Sequence, residues 1–148
     1  MTVQATLDAT GLELVLSVEG YEFPQFDSGW DANWLVCDIE LHVGLLGAFR
    51  ARHRPSILTV EFERFRDQLR VLNEKLSGTA ALEHTEEQVG LTVRLNAGKG
   101  AVEGFLADST AGRLSFENIE IDQSCVRRWL EQFDEIVEAF PVRGGLHD

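Results

Sequence analysis

Cysteine, proline and basic residues are all scarce in this chain of 148 residues, and each shortage excludes something. The two cysteines, Cys37 and Cys125, stand far apart and belong to no CxxC or Cys/His grouping. Two lone cysteines build no disulfide framework, so each reads as a small buried apolar residue in a reducing compartment. There are three prolines and no Gly/Ser- or Pro-rich tract, which leaves no composition for an interdomain linker. Lysine and arginine number 13 against 25 aspartates and glutamates, a formal net charge of -12. Nucleic acid is held through a basic footprint, and so is an anionic membrane surface, so neither is an expected partner. No apolar run nears the length of a membrane span, and residues 1–10 show neither a basic n-region nor an apolar h-region. The expected setting is therefore the cytoplasm. A basic protein partner is compatible with the charge, because complementary fields favour encounter and pairing.

Apolar residues make up 44% of the chain, enough for one core, and a single domain over residues 1–148 is expected, with loose ends near 1–10 and 144–148. Leu12, Leu14, Leu16 and Val18 alternate, the period of a half-buried strand that runs on to Phe23-Pro24. A turn-rich stretch, 27–33, leads into the clearest strand, Trp34–Val43, with Leu35, Cys37, Ile39 and Leu41 on one face and Asp38, Glu40 and His42 on the other. Gly44 and Gly47 mark a hairpin before a shorter strand over 48–54, closed by Pro55. Thr59 reads as the N-cap of a helix whose stripe is Phe62, Phe65, Leu69, Leu72 and Leu76, ending near Gly78. Strands follow over 79–84, 89–95, 101–107 and 113–121, the last with a change of phase that predicts a bulge near Glu117-Asn118. Asp122 caps a final amphipathic helix, with Val126, Trp129, Leu130, Phe133, Ile136, Val137 and Phe140 inward, stopped by Pro141. The fold class is thus α+β: a mostly antiparallel sheet of about seven strands covered by two amphipathic helices.

Chemistry is hard to find. No GxxxxGK[ST] or GxGxxG occurs, so nucleotide binding has no motif. The four histidines are scattered, and Asp38, Glu40 and His42 on one strand face describe a solvated surface as well as a metal site. Cys37 points inward, and Cys125 in the first helical turn has no histidine near it in sequence. Arg50, Arg52 and Arg54 form a ladder best explained by neighbouring carboxylates. No catalytic residue, metal ligand or cofactor is assigned.

Three segments taken together carry a resemblance: Tyr21-Glu22-Phe23-Pro24, Asp31-Ala32-Asn33-Trp34-Leu35 and Phe140-Pro141-Val142-Arg143, with Thr59-Val60-Glu61-Phe62 as a similar helix start. This order resembles small bacterial proteins of the WapI-type immunity family and related small families. The resemblance implies an α+β cytoplasmic fold and the neutralising of a toxin domain made by the same cell. It supplies no catalytic residues. The expected function is a non-enzymatic binding protein with a basic toxin domain as partner. The alternatives are a small enzyme assembled from distant residues such as Asp38, His42 and His53, or a subunit of a larger assembly, homo-oligomers included. The expected contact residues are Trp30, from an aromatic-rich turn region, and the acidic outer face of the last helix: Glu131, Asp134, Glu135 and Glu138. Asp31 and Asn33 are expected to fix a turn through side-chain bonds to the backbone.

Overall fold

In the computed structural model, residues 1–145 are described. A hairpin opens the chain: β1 (Val3–Ala9) and β2 (Leu12–Tyr21) pair antiparallel about Gly11, whose φ of 89° admits the tight turn. The loose end expected over residues 1–10 is therefore largely an edge strand. Ala5 and Leu7 are buried opposite Leu16 and Leu14. Val3, Ala5, Leu7 and Ala9 alternate with polar residues, a strand period made quiet by its two alanines, and the face of β2 fixes it.

The central strand, β3 (Trp34–Val43), pairs with β2 on one side and with two short strands on the other. β4 (Phe49–His53) takes one half of that edge and β5 (Ser56–Leu58) the other half. Pro55 separates them because it lacks the ladder donor, though its carbonyl still accepts from Cys37 N at 3.1 Å.

Helix α1 (Thr59–Lys75) buries Phe62, Phe65, Leu69 and Leu72. Thr59 is its first helical residue rather than its cap. Leu58 holds the cap position, and its N–H is taken by Glu61 Oε1 at 2.9 Å. A second sheet follows as a meander of β6 (Gly78–Glu83), β7 (Val89–Asn96), β8 (Lys99–Asp108) and β9 (Gly112–Asp122). The expected bulge is present: Val102 pairs with Ile119 but Gly104 with Phe116, and Asn118 takes a φ of 58°. Helix α2 (Gln123–Ala139) starts on Asp122, whose carboxylate accepts from Ser124 N at 2.8 Å and Cys125 N at 3.4 Å.

The helices pack on each other, α1 also against β6 and α2 against β1. Each closes the sheet edge it meets with one glutamine. Gln132 accepts from Thr6 N at 2.6 Å and donates to Thr6 O at 2.8 Å; Gln68 accepts from Ala81 N at 2.7 Å. Edge backbone groups at Thr6 and Ala81 that would otherwise lack a strand partner are thereby satisfied. Both sheets and both helices contribute to one hydrophobic cluster.

The α+β class, the antiparallel pairing and the two covering helices are as expected. Among the described residues the strands number nine, in sheets of five and four. β1 and β5 are the additions. The strands after α1 form a sheet of their own, with α1 packed against β6 at its edge.

Candidate protein-binding surface

The segments that carry the resemblance meet in one network. Asn33 is wholly buried, and both ends of its amide are used. Nδ2 donates to Gly29 O at 2.8 Å and Arg143 O at 3.0 Å; Oδ1 accepts from the Thr59 hydroxyl at 2.7 Å and Arg143 N at 2.8 Å. That is the full capacity of an asparagine side chain. Arg143 lays its guanidinium over the Tyr21 ring, 3.7 Å from the centroid, and donates to Ala32 O at 2.9 Å and Phe23 O at 3.1 Å. The Tyr21 hydroxyl donates to Pro141 O at 2.6 Å, and its ring meets Phe140 edge-on at 5.7 Å. Burial raises the Tyr21 pKa, opposed by the Arg143 charge. The end of β2, the turn before β3, the start of α1 and the segment after α2 are thus tied together. Turn fixing by Asn33 was expected from its residue type; its reach across 110 positions to Arg143 was not.

On this pinned loop the aromatic residues split in role. Phe23 is half-buried, whereas Phe26 and Trp30 stay 43% and 49% exposed. Trp30 precedes a 3₁₀ turn, Asp31–Asn33, in which the network holds Ala32 and Asn33. A large ring on a rigid support loses little entropy on contact, which is what an interface anchor requires.

The acidic helix face divides as well. Glu131, Glu135 and Glu138 are exposed, and among the described residues they enter no ion pair. Asp134 is half-buried and accepts from Arg66 at 3.3 Å and Arg70 at 3.2 Å, bracing α2 against α1.

Of the expected arginine ladder, Arg52 and Arg54 are matched by carboxylates on the same sheet, whereas Arg50 enters no ion pair among the described residues. Arg52 makes a two-pronged contact with Asp38 at 3.1 and 2.6 Å, and Arg54 reaches Glu19 at 2.8 Å. The hydrogen bond from Arg52 holds the Asp38 carboxyl below its ordinary range. Asp38, His42 and His53 are not brought together: Asp38 faces the arginines, His42 lies opposite Arg50, and His53 contacts Gln88 at 3.2 Å. Among the described residues, no group of three His, Cys, Asp or Glu side chains is placed to hold a metal ion. Cys37 is fully buried, and desolvation pushes its thiol up, the condition of an inert sulfur.

Two surfaces escape the sequence pattern. The turn between β3 and β4 exposes Leu45 by 74% and Leu46 by 106%, with Phe49 beside them at 61%. Its signal was a pair of leucines between Gly44 and Gly47, where turn chemistry favours polar residues. The outer face of β6–β9 forms a groove of about 750 Å³ edged by Glu83, Glu87, Glu103 and Glu117. Those glutamates are spread over 35 positions of sequence, so only the folded sheet places them round one groove.

Fold and surfaces together define an α+β protein of two antiparallel sheets braced by a helix pair, with its motif residues committed to architecture and an aromatic loop raised above them. A family model for the immunity protein WapI-like family matches residues 6–141, and the chain belongs to that family. No curated protein and no solved structure matches it significantly. Among the described residues no helix is long and apolar enough to cross a membrane.

Proposed function

We propose that the chain is a non-enzymatic immunity protein of the cytoplasm that binds and masks a basic toxin domain made by the same cell. The observation that carries this reading is the family match over residues 6–141. Three features support it. A net charge of -12 complements a basic toxin. Trp30 is a large ring held on a loop that the Asn33–Arg143 network fixes. The free carboxylates Glu131, Glu135 and Glu138 offer a charged rim, with Asp134 as the residue that keeps their helix in place.

The test uses the toxin-like domain encoded beside this gene, inactivated and immobilised. Wild-type chain is captured at moderate salt and protects cells from the active domain. Trp30→Ala weakens capture by about tenfold or more without loss of fold, as expected of an aromatic anchor. Joint charge reversal, Glu131→Lys with Glu135→Lys, weakens it further and flattens its salt dependence. A toxin domain that is neither captured nor neutralised overturns the reading.

A further inference from the structure

We propose that the outer face of the β6–β9 sheet is a docking groove for a basic polypeptide segment, whose arginine or lysine heads meet Glu83, Glu87 and Glu117. The proposal rests on the immunity reading only for the identity of the partner; the chemistry of the groove stands without it.

The geometry begins with the register. Glu83, Gly90, Phe105 and Ser115 lie in one row across the four strands, and Ala81, Thr92 and Glu103 in the next outward-facing row. Gly90 removes a side chain from the middle of the face. A Cβ there would stand 2.4 Å from Phe105, so the ring lies down over the glycine instead of rising from the sheet. Arg113 stacks on that ring at 3.9 Å and completes a wall. The floor is thus low and close to the backbone, and the volume of about 750 Å³ falls in the range of built binding clefts.

The charge is set by what is already paired. Arg94 engages Glu103, and Arg113 is turned onto Phe105. None of the ion pairs among the described residues involves Glu83, Glu87 or Glu117. On the outer face of the first sheet, by contrast, Arg52 and Arg54 satisfy Asp38 and Glu19. The groove lining therefore sets four glutamates against one arginine, Arg113, which lies flat on Phe105, and a concave face of predominantly one sign concentrates its field. A second copy is disfavoured, because two chains of net charge -12 each repel. Nucleic acid is excluded by sign. A polypeptide segment with guanidinium or ammonium heads is the occupant that matches.

Two arms test this. In the first, the full chain is titrated with an amidated Gly-Arg-Gly-Arg-Gly peptide and followed by amide NMR. Saturable shifts confined to β6–β9, at Gly90, Thr92, Phe105 and Ser115, are expected. The variant E83Q/E87Q/E117Q weakens binding by about tenfold or more, while E131Q/E135Q/E138Q, which removes the same charge from α2, weakens it by about twofold or less. Thr92→Arg, which supplies an internal cation to the groove, also abolishes the shifts. Equal weakening by the two triple variants, or shifts centred elsewhere, overturns the proposal.

In the second arm the inactive toxin domain replaces the peptide. Loss of capture with the groove variant supports the groove as its dock. Capture that survives the groove variant but fails on Trp30→Ala overturns the groove as the toxin's dock and leaves the immunity reading standing. A toxin domain that does not bind the wild-type chain removes the immunity reading, and the peptide arm still decides the groove by itself.

Discussion

Asn33 ties together segments from three places in the chain through a single amide, and its loss orphans groups at several of them at once. Asn33→Ala leaves the Thr59 hydroxyl and the Arg143 N–H unpaired at a buried site. Each orphaned buried group costs roughly 1–3 kcal/mol, so the variant is expected to lose about 3 kcal/mol, read as a lower urea midpoint at unchanged slope. Trp30→Ala, at 49% exposure on the same loop, is expected to leave that midpoint nearly unmoved, which separates the network's architectural role from the proposed contact. Cys37 gives a second prediction at this scale. Its burial and raised pKa predict no reaction with a maleimide at pH 8 in the native chain and full reaction in denaturant, checked by mass after limited labelling and digestion.

At the scale of elements, the distinctive device is the glutamine at each helix–sheet junction. Gln132 serves both the N–H and the carbonyl of Thr6 on the β1 edge, where no further strand is available. Gln132→Ala is expected to cost about 1–2 kcal/mol and to speed exchange of the Thr6 amide by about tenfold beyond the global loss, measured by native-state hydrogen exchange. A Thr6 amide that exchanges only with global unfolding in both proteins would refute the clamp. The strand β1 was hard to read because its inward residues, Val3, Ala5, Leu7 and Ala9, alternate correctly but include two alanines and no aromatic, whereas the large alternating residues of β3 and the wide stripe of α2 each announce their element alone. The bulge in β9 belongs with these legible features. Phe116 and Ile121 are both buried at an odd spacing, which requires an extra residue between them, and Asn118 tolerates the positive φ better than most.

The whole molecule is governed by its charge. Asp38 is held below the ordinary carboxylate range by the Arg52 hydrogen bond, and Asp122 by bonds from the Ser124 hydroxyl and the backbone at the start of α2. A folded pKa below the unfolded one means that the folded chain binds fewer protons. The stabilisation is therefore complete above the ordinary range and is lost as pH falls through the folded values. Self-repulsion of a net charge of -12 acts in the opposite sense, easing as pH drops towards the pI of 4.7. The urea midpoint is thus expected to rise gently from pH 7.5 to about 5 and then to fall below about pH 4. Asp38→Asn should flatten the acid limb. A midpoint that falls steadily from pH 7 would show that the repulsion is not relieved as argued.

The sequence by itself determined the class, the two helices, the central strand, the bulge and the acidity, because each is written in local periodicity, capping or a sum over residues. It also held the residues of the Asn33–Arg143 network, in the right order, without showing that they touch. Only the tertiary structure decided how the strands divide between two sheets, that Asp134 braces α1 while its neighbours stay free, and that Glu83, Glu87 and Glu117 share a groove. Those outcomes depend on register and on which element packs against which. Register is set when buried faces find each other across long stretches of chain, a pairing that no local period records.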